Sequence, residues 1–282
     1  MLTADIMHHM WPHGDEKIPG LIDGIVAAAP TVFPKYGLTS DLLVAHAMAQ
    51  FSHECGAGTE MVENIRYTAS RACAVWPSRF SSEADCYAKV GSHAGDPDFR
   101  IKLIDNVYGG RMGNRPGTHD GSKFIGRGLS QVTGREGYEK LGTKVGLNLV
   151  DNPDPVIAPA TALECGVADF IICGCLPFAQ ADDVHGVTKH LNGGFIGLAE
   201  RTAWLARWKA ALGSANPPLH STAWLQSSLN KLGAEPPLVA DGSFGPLTAL
   251  ALKTFQEEHG LEADGRVDPE TFAAIERALA AG

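Results

Sequence analysis

Two glutamates, Glu54 and Glu63, stand nine residues apart across the turn-forming stretch Cys55-Gly56-Ala57-Gly58. Acid/base hydrolysis of a glycosidic bond needs a pair of carboxyl groups placed on either side of the bond. One protonates the leaving oxygen; the other activates water or attacks directly. On spacing alone two surface acids are the usual explanation, since the chain holds 32 Asp and Glu. Other segments bring neutral and cationic donors between glycines, which let backbone approach a ligand closely. They are Tyr108-Gly109-Gly110-Arg111-Met112-Gly113-Asn114, Phe124 to Gly134, His190-Leu191-Asn192-Gly193-Gly194 and Gly197 to Arg201. Their Gln, Thr, Asn and Arg side chains suit sugar hydroxyls and N-acetyl groups.

Competing chemistries lack their residues. His53-Glu54-Cys55-Gly56 starts like a zinc-protease helix, but no histidine follows four residues after His53. The glycines of Gly126 to Gly134 do not have dinucleotide or phosphate-loop spacing. Cys173-Gly174-Cys175 is not a zinc spacing, and no second pair completes it. The six cysteines are expected reduced, as small buried residues. No metal and no cofactor is expected.

Positioning Glu54 falls to a helix over residues 40–54, capped by Ser40 or Thr39. Leu42, Ala45, Ala49 and Ser52 form one stripe, and Leu43, Ala47, Gln50 and Glu54 a neighbouring one. A carboxyl at the end of so apolar a helix is partly withdrawn from water, which suits it to hold and donate a proton.

The tail carries a repeat. Ala240-Asp241-Gly242, Pro246 and Thr248 recur 23 residues later as Ala263-Asp264-Gly265, Pro269 and Thr271. Each Asp-Gly makes a turn, each proline suits a first helical position, and Asp268 caps the second helix. With the segment Leu225 to Leu232, this predicts three short helices on one small core. Gly213-Ser214-Ala215-Asn216-Pro217-Pro218 has the composition of a linker. The expected division is a first domain at 1–212, a linker at 213–218 and a second domain at 219–282.

Composition sets outer limits. The chain has 282 residues, 23 Lys and Arg, a formal charge of −9 and 44% hydrophobic residues. That is a folded protein of one or two domains. The acidic balance argues against broad binding to nucleic acid or an anionic membrane. No run is long enough for membrane insertion, and the first twenty residues lack a signal-peptide core. The chain is therefore expected to be made in the cytoplasm and to need another exit route. Monomer is the default expectation.

Residues 219–280 resemble the peptidoglycan-binding domain of bacterial and phage cell-wall enzymes. The matching residues include Trp224-Leu225-Gln226, Leu232-Gly233, Asp241 to Pro246, Thr248, Phe255-Gln256, Gly260-Leu261 and Asp264 to Thr271. The resemblance suggests wall contacts from Asp241, Phe244 and Thr248. Residues 41–212 resemble glycoside hydrolase family 19 in the compact form of phage endolysins. The signature pieces are Ala49 to Glu54, Glu63-Asn64-Ile65-Arg66-Tyr67, Gly126 to Gly134 with Tyr138, and Asn192-Gly193-Gly194.

The resemblance implies a mainly α architecture: a lysozyme-like, two-lobed helical catalytic domain followed by the three-helix peptidoglycan-binding domain. It implies Glu54 as general acid, Glu63 as general base, and Thr133 as the hydroxyl holding the attacking water. It implies Gln131 and Asn192 as substrate contacts. Tyr67, Arg127 and Arg201 are either cleft contacts or packing and lobe-bridging residues. An inverting reaction would place the two carboxyl groups about 6.5–9.5 Å apart. One departure is Gly137, where the family commonly has an asparagine before the tyrosine. The implied activity is cleavage of peptidoglycan between N-acetylmuramic acid and N-acetylglucosamine, by a lysozyme-type endolysin acting in the periplasm after holin-type release. Chitin hydrolysis, lytic transglycosylation and non-catalytic wall binding are the alternatives.

Overall fold

The computed structural model describes residues 2–91, 93, 95–215, 220, 222–240 and 242–281. The chain divides into two compact units, Leu2–Leu205 and Ala206–Gly282. Both are built of helices, and the β structure among the described residues is limited to two isolated bridges. The helices of the first unit are α1 (Ala4–Met10), α2 (Leu21–Lys35), α3 (Asp41–Glu54), α4 (Ala69–Val75), α5 (Glu83–Val90), α6 (Phe99–Tyr108), α7 (Asp120–Lys123), α8 (Arg135–Val145), α9 (Ala162–Ile172), α10 (Leu176–Gln180) and α11 (Val184–Asn192). Helix α12 (Leu198–Ala215) contains the division.

Helix α3 is the hub. Ser40 caps it, its hydroxyl accepting from the Leu43 amide at 3.4 Å. The two expected stripes understate its burial: every residue from Leu43 to Ser52 is buried. Ala45, Ala47 and Ala49 are small enough for α9, α10 and α11 to close on the helix from several sides. Phe51 meets Phe170 of α9 edge-on with ring centres 6.4 Å apart. Trp11 donates its indole N–H to Ser52 at 2.8 Å, tying the N-terminal segment to the same helix. Removing such rings from water stabilises by about 1.5–3 kcal/mol each.

A second apolar cluster gathers Ala69, Ala72, Phe80, Cys86, Phe99, Leu103 and Val107 from α4 to α6. The first unit thus has a main body around α3 and a smaller lobe on α4 to α6. The segment between Glu54 and Thr68 runs from one to the other, which is how two glutamates close in sequence come to be held by different cores.

The second unit consists of α13 (Thr222–Lys231), α14 (Pro246–Glu258) and α15 (Pro269–Ala281) around Leu225, Leu229, Leu252, Phe255, Ala274 and Ile275. Pro246 and Pro269 open their helices, and Asp268 accepts from the Thr271 amide at 2.7 Å. The first half of the expected linker is helical. Gly213 to Ala215 are the last residues of α12, and 216–219 lie outside the described residues. A lone glycine in a helix costs about 1 kcal/mol and does not end it. The residue before Pro217 is the first that a proline disfavours in helical conformation.

Candidate active site

Glu54 is the last residue of α3, and a buried arginine grips it. Arg201 of α12 donates Nη2–H to Glu54 Oε1 at 2.6 Å, Nη1–H to Gln50 Oε1 at 2.5 Å and Nε–H to the Ile196 carbonyl at 3.0 Å. Gln50 lies one helical turn before Glu54 and donates to Thr188 Oγ1 at 3.2 Å. A chain of bonds therefore runs Thr188, Gln50, Arg201, Glu54 across α11, α3 and α12. The Arg201 side chain is 1% exposed and that of Glu54 14%. Arg201 acts from behind Glu54 as a positioning residue; of the two roles open to it, this placement is bridging rather than contact with a sugar.

A second carboxyl, overlooked in the sequence, adjoins this network. Asp169 of α9 is 9% exposed, and burial pushes it up to about 6. A hydrogen bond with Ser130 works against that rise, and the charge of Glu54 adds to it. The Cys173 thiol lies 4.0 Å away. Its signal in the sequence was a single acid inside the apolar run Val167-Ala168-Asp169-Phe170-Ile171-Ile172. His53, beside Glu54, is pushed down by burial and then by Arg201. Its ring lies against Gly197, where a Cβ would come within 2.1 Å of the imidazole, so only glycine fits there.

Glu63 is held by backbone and by the smaller lobe. The bridges Val62–Arg127 and Arg127–Val132 align three short antiparallel segments. The Glu63 amide donates to the Gly126 carbonyl at 2.8 Å, and the Gly126 amide donates to Glu63 Oε2 at 3.1 Å. Tyr108, at the end of α6, donates its hydroxyl to Glu63 Oε1 at 2.7 Å. Burial, then the Glu63 charge, pushes the Tyr108 phenol up, so it stays a donor.

Thr133 and Gln131 share this corner. A Cβ on Gly126 would lie 2.9 Å from Gln131 Oε1, 3.3 Å from Thr133 Oγ1 and 3.5 Å from the Glu63 Cβ. The Thr133 hydroxyl donates to the Gln131 carbonyl at 2.9 Å. Gln131 sits at φ 54°, and its amide nitrogen donates to the carbonyls of Glu60 and Gly128 at 3.1 and 3.0 Å. The turn 128–132 thus adjoins both carboxyls, Glu63 through Gly126 and Glu54 through Ser130 and Asp169.

The remaining expected site residues separate by placement. Asn192 ends α11 with its Oδ1 buried and without a hydrogen-bond partner among the described residues. Such an acceptor is costly to leave unmade. The Tyr67 ring rests on Trp76 with centres 4.8 Å apart, within the electrostatic reach of Glu63. Arg127 donates to the Lys123 carbonyl and the Tyr138 hydroxyl at 2.6 and 3.2 Å, a packing role.

In the second unit, Asp241 lies outside the described residues and Phe244 is 45% exposed. Thr248 is only 3% exposed, and Gln226 donates to its hydroxyl at 3.1 Å. Thr248 is therefore a structural clamp, not a wall contact. The clamp is the repeat's physical meaning. Gln226 accepts from the Gly242 amide and donates to Ser243 and Thr248; Gln256 accepts from the Gly265 amide and donates to Arg266 and Thr271.

Among the described residues no cluster of three His, Cys, Asp or Glu is placed to hold a metal. All six cysteines are free thiols, and burial pushes Cys55, Cys165 and Cys173 up to about 12, which leaves them protonated. No helix among the described residues is long and apolar enough to cross a membrane.

Residues 221–275 match the family described as "Putative peptidoglycan binding domain". A glycosyl hydrolase family 19 domain-containing protein of Haemophilus influenzae is 27% identical over 204 residues, 71% of this chain and 92% of that one. An acidic 27 kDa endochitinase of Solanum lycopersicum is 45% identical over 53 residues, 22% of that protein's length. The solved structure of chitinase C from Streptomyces griseus is 17% identical with a TM-score of 0.46, over 75% of this chain and 76% of that one.

Proposed function

We propose that this chain, a chitinase-like glycoside hydrolase of the family 19 type with a peptidoglycan-binding domain, is a peptidoglycan hydrolase of the lysozyme type. The bond it cuts in this reading is the β-1,4 link between N-acetylmuramic acid and N-acetylglucosamine. The observation that carries the reading is the union, in one chain, of two differently held glutamates with a module matched to wall binding. A wall anchor raises the local concentration of wall polymer, and of nothing else, at the cutting unit.

In the proposed mechanism Glu54 protonates the glycosidic oxygen. Arg201 fixes its Oε1 edge, so the proton is carried on the free oxygen. Glu63 takes a proton from water. Its two oxygens each spend one acceptor site on Tyr108 or Gly126, and each has a further lone pair for water. Thr133, beside Gly126, is near enough to steady that water. Water then attacks the anomeric carbon from the face opposite the leaving oxygen, with inversion. Asn192, at the end of α11, is the remaining candidate for a sugar contact in this reading. The biological role that fits is that of an endolysin, releasing a bacterium's contents by opening its wall.

Chitin hydrolysis is the second reading, favoured by the short match to a plant endochitinase. Digesting purified peptidoglycan and chitohexaose side by side, with wild type and Glu54→Gln, separates the two. Muramyl fragments from the wild type alone support the first reading. Products from chitohexaose only would replace it with the second, and 1,6-anhydro ends would indicate a transglycosylase.

A further inference from the structure

Beneath Glu54 three polar side chains are buried in series. Thr188 and Gln50 are 0% exposed and Arg201 is 1% exposed. Such a series brings little net stability over apolar side chains of similar volume. What it does fix is orientation. A guanidinium offers only donors, so the Gln50 side-chain oxygen must face Arg201, at 2.5 Å. The Gln50 amide nitrogen is then turned to the Thr188 hydroxyl oxygen, at 3.2 Å.

The result is an arginine whose fork is divided. A guanidinium that meets a carboxylate alone commonly binds both its oxygens through two parallel N–H bonds. Here Nη2 reaches Glu54 Oε1 at 2.6 Å, while Nη1 is held by Gln50 and Nε by the Ile196 carbonyl at 3.0 Å. Among the described residues no hydrogen bond reaches Glu54 Oε2. The Glu54 side chain keeps 14% of its surface exposed. A second N–H on this carboxyl would favour its charged form, against the needs of a group that must meet the glycosidic oxygen protonated. Gln50 withholds that second N–H.

We propose that Gln50, itself oriented by Thr188, is a positioning residue that limits Arg201 to one hydrogen bond with Glu54 and so leaves Oε2 free to carry the proton given to the leaving oxygen. The proposal rests on the reading of Glu54 as the acid, and not on which glycan is cut. The other titratable groups around Glu54 are its neighbours His53 and Cys55, and Asp169 and Cys173 on the α9 side. Both thiols stay protonated, pushed up to about 12. Burial holds His53 down. Asp169, raised by burial to about 6, titrates where activity is read, so it is removed in a control.

The test measures kcat and KM of the full chain from about pH 4 to 9, on whichever of soluble peptidoglycan strands and chitohexaose the wild type cuts. Gln50→Leu releases Nη1 to pair with Oε2. That second bond holds the charged form, so the alkaline limb of kcat is expected to move down by about one pH unit, the scale of one charge-assisted hydrogen bond. The acid limb, assigned to Glu63, should stay in place, with KM within about twofold. Thr188→Val, which unpins Gln50, should move the alkaline limb the same way by less; the conservative Thr188→Ser should restore it. The Gln50→Leu shift should persist in an Asp169→Asn background. An alkaline limb that stays put or moves up in Gln50→Leu overturns the proposal. So does an equal loss of kcat at every pH, a shift that vanishes with Asp169, or a Thr188→Ser profile moved as far as that of Thr188→Val. Should Gln50→Leu not fold, the two Thr188 variants decide on the same limb. If Glu54→Gln keeps full activity, the acid reading itself has failed, and the proposal with it. An inactive Glu54→Gln beside an unmoved limb sinks the Gln50 assignment alone.

Discussion

Arg201→Met isolates the contact on which the placement of Glu54 depends. Methionine keeps an unbranched apolar stem and removes the charge and every donor. Three acceptors lose their partner: Glu54 Oε1, Gln50 Oε1 and the Ile196 carbonyl. Removing one side of a buried ion pair costs about 3–5 kcal/mol, because the other charge stays behind. The 14% exposure of Glu54 lets water return to part of the carboxylate, so the lower end, about 3 kcal/mol, is expected. For a unit of this size that lowers the unfolding midpoint by about 6–12 °C. Turnover should fall about a hundredfold with KM little changed, since the acid is misplaced and not the sugar contacts. Differential scanning calorimetry on wild type, Glu54→Gln, Arg201→Met and the double variant closes a cycle. Glu54→Gln removes the stranded charge, so the double variant should be more stable than Arg201→Met alone, with a coupling of about 2 kcal/mol. An Arg201→Met midpoint within about 2 °C of wild type, or additivity within about 0.5 kcal/mol, would refute the reasoning.

Gly126→Ala would push on Gln131 Oε1 and Thr133 Oγ1 without deleting any reacting group. A fall in kcat of about tenfold to a hundredfold is expected, read from turnover on soluble glycan. Asp169→Asn should alter the pH dependence of stability. Burial raises this carboxyl to about 6, so between its unfolded value near 4 and that pH the folded state holds the extra proton, and stability drops as pH rises. Asparagine stays neutral; urea titrations should show a gain of about 2 kcal/mol at pH 7.5 and none near pH 3.5. Gln256→Leu strands the Gly265 amide and the Arg266 carbonyl in a small core. About 3 kcal/mol of lost stability should release the full chain from sedimenting wall fragments while turnover on soluble glycan is kept.

Local signals in the sequence were the ones that could be read. The cap at Ser40, the apolar run to Glu54 and the Asp-Gly, Pro and Thr positions of the tail each act within a turn or two of chain. They gave α3, α14 and α15 with their starts. What holds the carboxyls is long-range and was not visible. Arg201 reaches Glu54 across 147 residues, and Gly126 reaches Glu63 across 63. Asp169 carried no motif, Tyr108 stood only at the head of a glycine-rich segment, and packing brings both to the site. Thr248 and Thr271 are partners of clamping glutamines that sit at different offsets from the two Asp-Gly turns. Gln226 is 16 residues from Gly242, whereas Gln256 is 9 from Gly265. The repeat shows in its turns; Gln226 and Gln256 are in the matched motifs too, but their clamping role depends on contacts across the fold.

The most direct test of the account is to digest peptidoglycan in water enriched in oxygen-18, reduce the products at once, and read the new muramyl ends by mass spectrometry. Hydrolysis by water activated at Glu63, with Glu54 as acid, predicts one oxygen-18 in each new muramic acid end from the wild type. It predicts almost no new ends from Glu54→Gln or Glu63→Gln. Unlabelled 1,6-anhydro ends, or full activity in either variant, would contradict it.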